Sequence, residues 1–213
     1  MTGLAVALIV AHAVRVFSPV AWQGFILSAG SLQPDRFWAW AGLGAPGAVA
    51  YDSPVSALLP FLTEALLHDG WGGAILNAAL VVILGRPVYF SLSIGRRNAA
   101  WPFLAVFAAS VAGGSLLHLL TQFPAGSALI GASGGASGLF AAWVLIQEGR
   151  NGRILSNRFL TVFVAFAAIN LLLWFLGPAI LGARISWQAH IGGFLAGALA
   201  FQAFRASRRI PRI

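Results

Sequence analysis

The sequence predicts an all-α polytopic membrane protein in which about six transmembrane helices form a single membrane domain over residues 1–213. Composition is the first reason, because 59% of the residues are hydrophobic and only 8% are charged, whereas a soluble domain has about 25% charged residues. Length is the second reason. A spanning helix needs about 20 mostly apolar residues, so 213 residues accommodate about six spans with short connections. The third reason is that the basic residues lie between apolar stretches.

Six apolar stretches are separated by polar or glycine- and proline-rich segments. They cover about 4–28, 56–84, 101–121, 129–147, 159–177 and 186–204. The first is interrupted by Arg15 and Pro19 and lacks the basic start of a cleaved signal peptide, so we expect it to be a retained helix. The segment 29–55 is rich in glycine, proline and tryptophan, which predicts a long loop at the membrane interface.

The distribution of arginine predicts the orientation of the chain. If six spans alternate, one side of the membrane holds ten arginines: Arg86, Arg96, Arg97, Arg150, Arg153, Arg158, Arg205, Arg208, Arg209 and Arg212. The other side holds Arg36 and Arg184. Because basic residues concentrate in cytoplasmic segments, we expect a bacterial inner-membrane protein with both termini in the cytoplasm and a basic tail over 205–213. Arg15 either snorkels from the first span or lies in a short span bent at Pro19.

The same alternation predicts which helix ends lie together. Spans two, four and six all start at the outer face, so residues near those starts share one end of the bundle. These residues include His68, Asn77, Ser133 and His190. Polar groups are costly in hydrocarbon, and those retained there are functional candidates.

A glycine-rich segment that contains Ser133 opens the fourth span. Gly131 precedes this serine, and Gly134 and Gly138 follow it. A serine at a helix start lies where unpaired N–H groups and the helix dipole favour negative charge, which suits the oxyanion formed when serine attacks a carbonyl. The same segment is also typical of a surface of small residues that packs against another helix, and Ser137 lies in a duplicate of the same glycine context.

His190 opens the sixth span in a second glycine-rich segment. Gly193 and Gly197 form a GxxxG pair there, and a similar pair in the fourth span would let the two helices approach closely. That contact would bring His190 against Ser133. Histidine is the usual base that activates a serine nucleophile.

The sequence leaves two questions about this pair open. No carboxylate lies near Ser133 or His190 in sequence, so a Ser–His dyad is a simpler interpretation than a Ser-His-Asp triad. Glu64 and Asp69 lie on the same side of the membrane, and a triad therefore stays possible. His118, near the outer end of the third span, stays an alternative base.

The remaining polar residues of the spans have weaker signals. Asn77 lies one or two turns into the second span, where its amide either donates to an oxyanion or ties helices together. His12, in the first span, is interpreted as a packing residue. The chain has no HxxxH or HExxH spacing and few acidic residues, which disfavours a metal site.

These motifs together resemble those of the rhomboid family of intramembrane serine proteases, in its six-helix bacterial form. Residues 131–134 match the family's GxSG motif, and residues 189–197 match its AHxGGxxxG motif. Residues 67–77, followed by 85–88, are similar to the family's HxxxxHxxxN segment and its FGxxV continuation. The similarity covers about 56–204, whereas the first span and the following loop are only loosely similar.

The resemblance implies catalytic roles for two of the candidate residues and argues against the two alternatives. Ser133 would be the nucleophile and His190 the general base. Ser137 would not be the nucleophile despite its glycine context, and His118 would not be the base.

The resemblance also implies an oxyanion site, in which this chain departs from the family. The site would consist of the Ser133 backbone N–H and the Asn77 side chain, and His68 would have a structural role. The family's second histidine, which helps to donate to the oxyanion, falls on Gly73 here. Losing one such donor costs roughly 10²–10³ in rate in a serine protease. Because the nucleophile and the base are both kept, we expect an active enzyme that is slower, is tuned differently or uses a water in this place.

These features predict a serine endopeptidase that hydrolyses peptide bonds in or near transmembrane segments of other membrane proteins. By resemblance, its substrates would carry helix-breaking glycine or proline and a small residue before the cut.

No phosphate-binding or zinc motif is present, and we expect no cofactor. The expected partners are transmembrane protein substrates and the lipid bilayer. Nucleic acid is not expected, because the arginines lie between apolar stretches rather than on a soluble face. The sequence does not specify the oligomeric state.

Two other functions are compatible with parts of this pattern. A catalytically silent rhomboid-like protein that binds membrane clients is supported by Gly73. A small transporter or channel would need polar residues along a path across the whole membrane. The polar candidates here lie near one face instead, which argues against transport.

Overall fold

The computed structural model of the protein describes residues 1–149, 153–180 and 185–206. These residues form helices and no β-strand, so the predicted all-α class is confirmed. The α-helices of this part of the chain are α1 Thr2–Phe17, α2 Val20–Gly30, α3 Pro34–Trp40, α4 Pro54–Leu58, α5 Pro60–Thr63, α6 Trp71–Ser93, α7 Ala100–Thr121, α8 Ser133–Gln147, α9 Asn157–Ile180 and α10 Trp187–Ala206. Five of the arginines assigned to a side of the membrane from sequence lie outside the described residues, namely Arg150, Arg184, Arg208, Arg209 and Arg212.

Three of the described helices, α6, α7 and α9, are long and apolar enough to cross a membrane. Helices α7 and α9 coincide with the predicted third and fifth spans. Helices α8 and α10 occupy the predicted fourth and sixth spans, and α1 lies within the first apolar stretch. A total of six spans stays a prediction.

The predicted bounds of the second span, 56–84, are wrong. Helix α6 begins only at Trp71 and continues to Ser93. The apolar residues before it form α4, α5 and a 3-10 turn at Glu64–Leu66. Pro54 and Pro60 stand at the first position of α4 and α5, where proline fits a helix that it would interrupt further along.

The N-terminal region also differs from its predicted form. The first apolar stretch is two helices, α1 and α2, because Pro19 disfavours helical backbone in the residue before it. The segment 29–55 is only partly loop, since α3 lies within it. Leu32 and Leu129 exchange two backbone hydrogen bonds of 3.1 and 2.8 Å. These bonds join this segment to the residues just before α8, which carries Ser133.

Helices α8 and α10 are in backbone contact, as their glycines predict. A Cβ atom built on Gly193 would overlap the carbonyl oxygen of Gly134, and one built on Gly197 would overlap the Cα atom of Gly138. Glycines of α7 and α10 approach each other in the same way. The first turns of α8 and α10 are therefore held side by side.

Two arginines show that α6, α8 and α10 end together. Arg96, just after α6, donates to the carbonyl oxygen of Phe204 in α10 at 2.8 Å. Arg205 donates to the carbonyl oxygen of Gly149, just after α8, at 2.6 Å. The three helices run in the same direction, so their first turns share the opposite end of the bundle.

Helix α9 is the most loosely attached of the three long apolar helices. Only 11% of its most apolar stretch is buried, compared with 50% in α7. Its first half packs on Phe194 of α10, with ring centroids 5.4 Å away for Phe159, 5.5 Å for Phe163 and 4.9 Å for Phe166. Most of its residues beyond position 170 are exposed.

Candidate active site

A cavity of about 590 Å³ lies among the first turns of α6, α8 and α10. Its walls include Asn77 from α6, Ser133 from α8 and His190 from α10. His68 and His118 also face it. The convergence that alternating spans predict for these helix starts is therefore observed.

Ser133 is the first residue of α8, and the backbone before it is tightly held. Gly131 has a φ angle of +118°, which only glycine adopts readily. Its N–H donates to the carbonyl oxygen of Glu64 at 2.9 Å. Ser133 thus starts a helix directly after a sharp, anchored turn, where the unpaired N–H groups of the first helical turn lie near its hydroxyl.

Ser137, in the duplicate glycine context, has a different environment. It lies one turn further along α8 and is 7% exposed. Its hydroxyl donates to the carbonyl oxygen of Ser133 at 2.8 Å. Only Ser133 of the two lines the cavity within the described residues, which favours Ser133 as the nucleophile.

His190 is half-buried in the first turn of α10 and is held from α9. Its Nδ1 atom hydrogen-bonds to Oδ1 of Asn170. The amide nitrogen of Asn170 donates to the carbonyl oxygen of Phe166 at 2.8 Å. Sequence reasoning missed Asn170, although a single amide within the fifth apolar stretch is the kind of costly polar group that signals a role.

No hydrogen bond joins Ser133 to His190 within the described part of the chain, so this predicted bond stays a prediction. The two side chains line one cavity from neighbouring first turns. Catalytic hydrogen bonds are often long in the absence of substrate and tighten when it binds. The arrangement is therefore compatible with proton transfer from Ser133 to His190.

His118, the alternative base, has both ring nitrogens occupied. Its Nε2 atom lies 2.9 Å from the carbonyl oxygen of Ser127 and its Nδ1 atom 3.0 Å from the hydroxyl of Ser186. A carbonyl oxygen only accepts, so Nε2 carries the proton, and Nδ1 lies against the Ser186 hydroxyl. His118 thus joins the segment before α8 to the segment before α10, and neither nitrogen is free for Ser133.

The two acidic candidates for a triad do not contact His190 in the described structure. Glu64 is 2% exposed, and its Oε1 atom accepts from the hydroxyl of Ser115 at 3.4 Å. Asp69 lies at the cavity wall. The atom that an acidic residue would contact, Nδ1 of His190, is bonded to Asn170 instead.

Asn77 and Gly73 lie on the same face of α6, one turn apart. Asn77 is 8% exposed and lines the cavity, as does Gly73. A Cβ atom on Gly73 would meet only the His68 ring, at 3.9 Å. The position therefore has room for a side chain directed at the cavity.

His68 and Arg15 lie behind the segment that leads to Ser133. Nη2 of Arg15 donates to the carbonyl oxygen of His68 at 2.6 Å, and α1 ends two residues later, so the short-helix explanation of Arg15 is the one observed. Burial, together with the charges of His12 and Arg15, lowers the pKa of His68 to about 4. The neutral imidazole accepts a long hydrogen bond of 3.5 Å from the N–H of Ala132, next to Ser133.

The family model described as Rhomboid domain matches residues 56–206, which include every helix that lines the cavity. No curated protein matches the chain.

Proposed function

Because the chain belongs to the rhomboid family, we propose that it is an intramembrane serine endopeptidase that cleaves peptide bonds in or near transmembrane segments of other membrane proteins. The observation that carries this proposal is the meeting of Ser133, His190 and Asn77, from three different helices, around one cavity of about 590 Å³. The proposed nucleophile, base and oxyanion donor then line one cavity.

The first chemical step is acylation of Ser133. Its hydroxyl oxygen attacks the substrate carbonyl carbon while Nε2 of His190 takes the proton. The Ser133 backbone N–H and the Asn77 amide donate to the oxyanion of the tetrahedral intermediate. His190 then returns the proton to the departing amine, and the peptide bond breaks.

The second step is hydrolysis of the acyl-enzyme. Water enters from the cavity, gives its proton to His190 and attacks the ester carbon, and Ser133 leaves with that proton. The substrate must present extended backbone, because a helical amide is shielded by its own hydrogen bonds. Substrates with helix-breaking glycine or proline and a small residue before the cut fit this requirement.

The proposal includes the setting of the reaction. We propose six spans in a bacterial inner membrane, with both chain termini on the cytoplasmic side. In this orientation the cavity lies just below the outer surface of that membrane. The common end of α6, α8 and α10, marked by Arg96 and Arg205, supports the cytoplasmic assignment of the arginine-bearing segments. The single membrane domain over 1–213 needs no cofactor for this chemistry.

Labelling with a fluorophosphonate probe tests the proposal. The purified protein in detergent should react with the probe through Ser133 and should cleave a reporter transmembrane substrate. Labelling should be lost in His190→Ala and should survive in His118→Asn, which removes the rival base. Persistent labelling of His190→Ala would mean that another group is the base.

A catalytically silent family member that binds membrane clients is the second candidate, and Gly73 is the observation that favours it. If the protein is catalytically inactive, neither the wild type nor Ser133→Ala should cleave the reporter or react with the probe. Binding of a transmembrane client by that same inactive protein would then support the second candidate.

Placing a histidine at position 73 should raise turnover. The position faces the cavity one turn before Asn77 and has space for a side chain, so Gly73→His supplies a further oxyanion donor. We expect kcat to rise on the order of 10-fold, less than the roughly 10²–10³ of a fully optimised donor. Gly73→Phe, whose ring has no N–H, is the matched control. An equal response of both variants would mean that donation is not the reason.

A further inference from the structure

Asn170 is a buried amide in a helix that is mostly apolar and mostly exposed. Only 4% of its surface is accessible, whereas α9 is the least buried of the long apolar helices. Removing an amide from water without a compensating hydrogen bond costs roughly 2–7 kcal/mol. Both ends of this side chain are bonded in the structure, one to its own helix and the other to His190.

The bond to its own helix fixes the orientation of the amide. The carbonyl oxygen of Phe166, 2.8 Å away, can only accept, so it must face the NH₂ group of Asn170. Oδ1 of Asn170 therefore faces His190. Because Oδ1 also can only accept, Nδ1 of His190 must carry the proton.

The protonation state of the other ring nitrogen of His190, Nε2, follows from this. A neutral imidazole with its proton on Nδ1 has its lone pair on Nε2. Nε2 is the atom that must take the proton from Ser133. Without a partner on Nδ1, the imidazole could exchange tautomers and rotate, and the lone pair would not be kept on the atom that must take the proton.

We propose that Asn170 is a positioning residue, which holds the general base His190 in the Nδ1-protonated tautomer with Nε2 directed at the active-site cavity. This inference rests on the proposed function. Asn170 occupies the place that aspartate has in a Ser-His-Asp triad. As a neutral group it orients the ring without placing a carboxylate in the membrane, where an ionised side chain is costly.

The position of Asn170 along α9 separates this role from simple helix attachment. Three aromatic residues of the first half of α9 already hold the helix on Phe194. Asn170 follows them and contacts His190 directly. Its loss should therefore affect the base more than the stability of the protein.

The test compares three variants of the full chain in proteoliposomes. Asn170→Leu keeps a similar volume without hydrogen bonds. Asn170→Asp keeps an acceptor oxygen. Asn157→Leu makes the same exchange as the first variant at an exposed position in the first turn of α9. We expect kcat for a reporter substrate to fall on the order of 10²-fold in Asn170→Leu, the cost of a misoriented catalytic group, with KM unchanged. Asn170→Asp should recover much of that loss, and Asn157→Leu should behave as the wild type.

A spectroscopic measurement reports the tautomer directly. The chain has four histidines, so ¹⁵N-histidine labelling and comparison with His190→Gln identify the signals of His190. Its Nδ1 should be protonated in the wild type, and the proton should move towards Nε2 in Asn170→Leu. An inactive wild type with this same pattern would overturn the proposed function but leave the Asn170–His190 bond intact. Wild-type kcat in Asn170→Leu, or an unchanged tautomer, would overturn the inference.

Discussion

Replacement of Ser133 by alanine is expected to lower kcat for cleavage of a transmembrane reporter by roughly 10⁴- to 10⁶-fold, as removal of the nucleophile does in serine proteases. Ser133 lines the cavity with His190 and Asn77, and it supplies the hydroxyl at the first residue of α8. Single-turnover cleavage in proteoliposomes measures the effect. Thermal unfolding in detergent shows in parallel that the variant is folded.

Ser137→Ala is the matched control for this prediction, because Ser137 lies four residues later in a copy of the same Gly-Ala-Ser-Gly sequence. Its hydroxyl donates to the carbonyl oxygen of Ser133 at 2.8 Å. Losing that bond should cost about 1 kcal/mol of stability, with only a small change in rate. Full loss of cleavage in Ser137→Ala, together with activity in Ser133→Ala, would mean that the wrong serine has been assigned.

The meeting of Ser133 and His190 at one end of the bundle was accessible from sequence, because alternation of spans fixes which helix starts lie together. The glycines of α8 and α10 added the second constraint, since only closely packed helices need them at Gly134 and Gly193. The shared helix ends and the close helix contact follow from the alternation of spans and from the small size of glycine. Neither inference requires the predicted first and last residues of each helix to be correct.

The features that could not be predicted from the sequence depend on tertiary contacts. Hydropathy treats residues 56–66 as part of a span, although they belong to short helices that precede α6. The sequence alone does not explain why an arginine lies at position 15 of an apolar stretch. In the structure, Arg15 donates a hydrogen bond to the carbonyl oxygen of His68. Asn170 resembles any isolated amide in an apolar stretch, and only the fold brings it to His190. Polar groups in spans are visible in sequence, but their partners are not.

Replacement of Gly193 by leucine is expected to abolish activity by forcing α8 and α10 apart. Even the Cβ atom would overlap the carbonyl oxygen of Gly134, and neither backbone can yield without moving its helix. Overpacking typically costs about 1–3 kcal/mol, and a clash with backbone lies at the upper end of that range or beyond it. Gly134 follows Ser133 directly, and Gly193 lies one turn after His190. Separation at this contact therefore increases the distance between nucleophile and base.

Gly193→Ala gives the graded version of the same experiment. A shift of about 1 Å between catalytic groups can cost on the order of 10²-fold in rate, so activity should fall by this amount while a folded protein is still detected by thermal unfolding. Gly24→Ala, within α2, is the control, because a Cβ atom there has no neighbour within 4 Å. Alanine in a helix interior is favoured over glycine by roughly 0.5–1 kcal/mol, so this variant should be slightly more stable and fully active. Wild-type activity in Gly193→Ala would contradict the backbone contact between α8 and α10, and with it the arrangement that brings His190 beside Ser133.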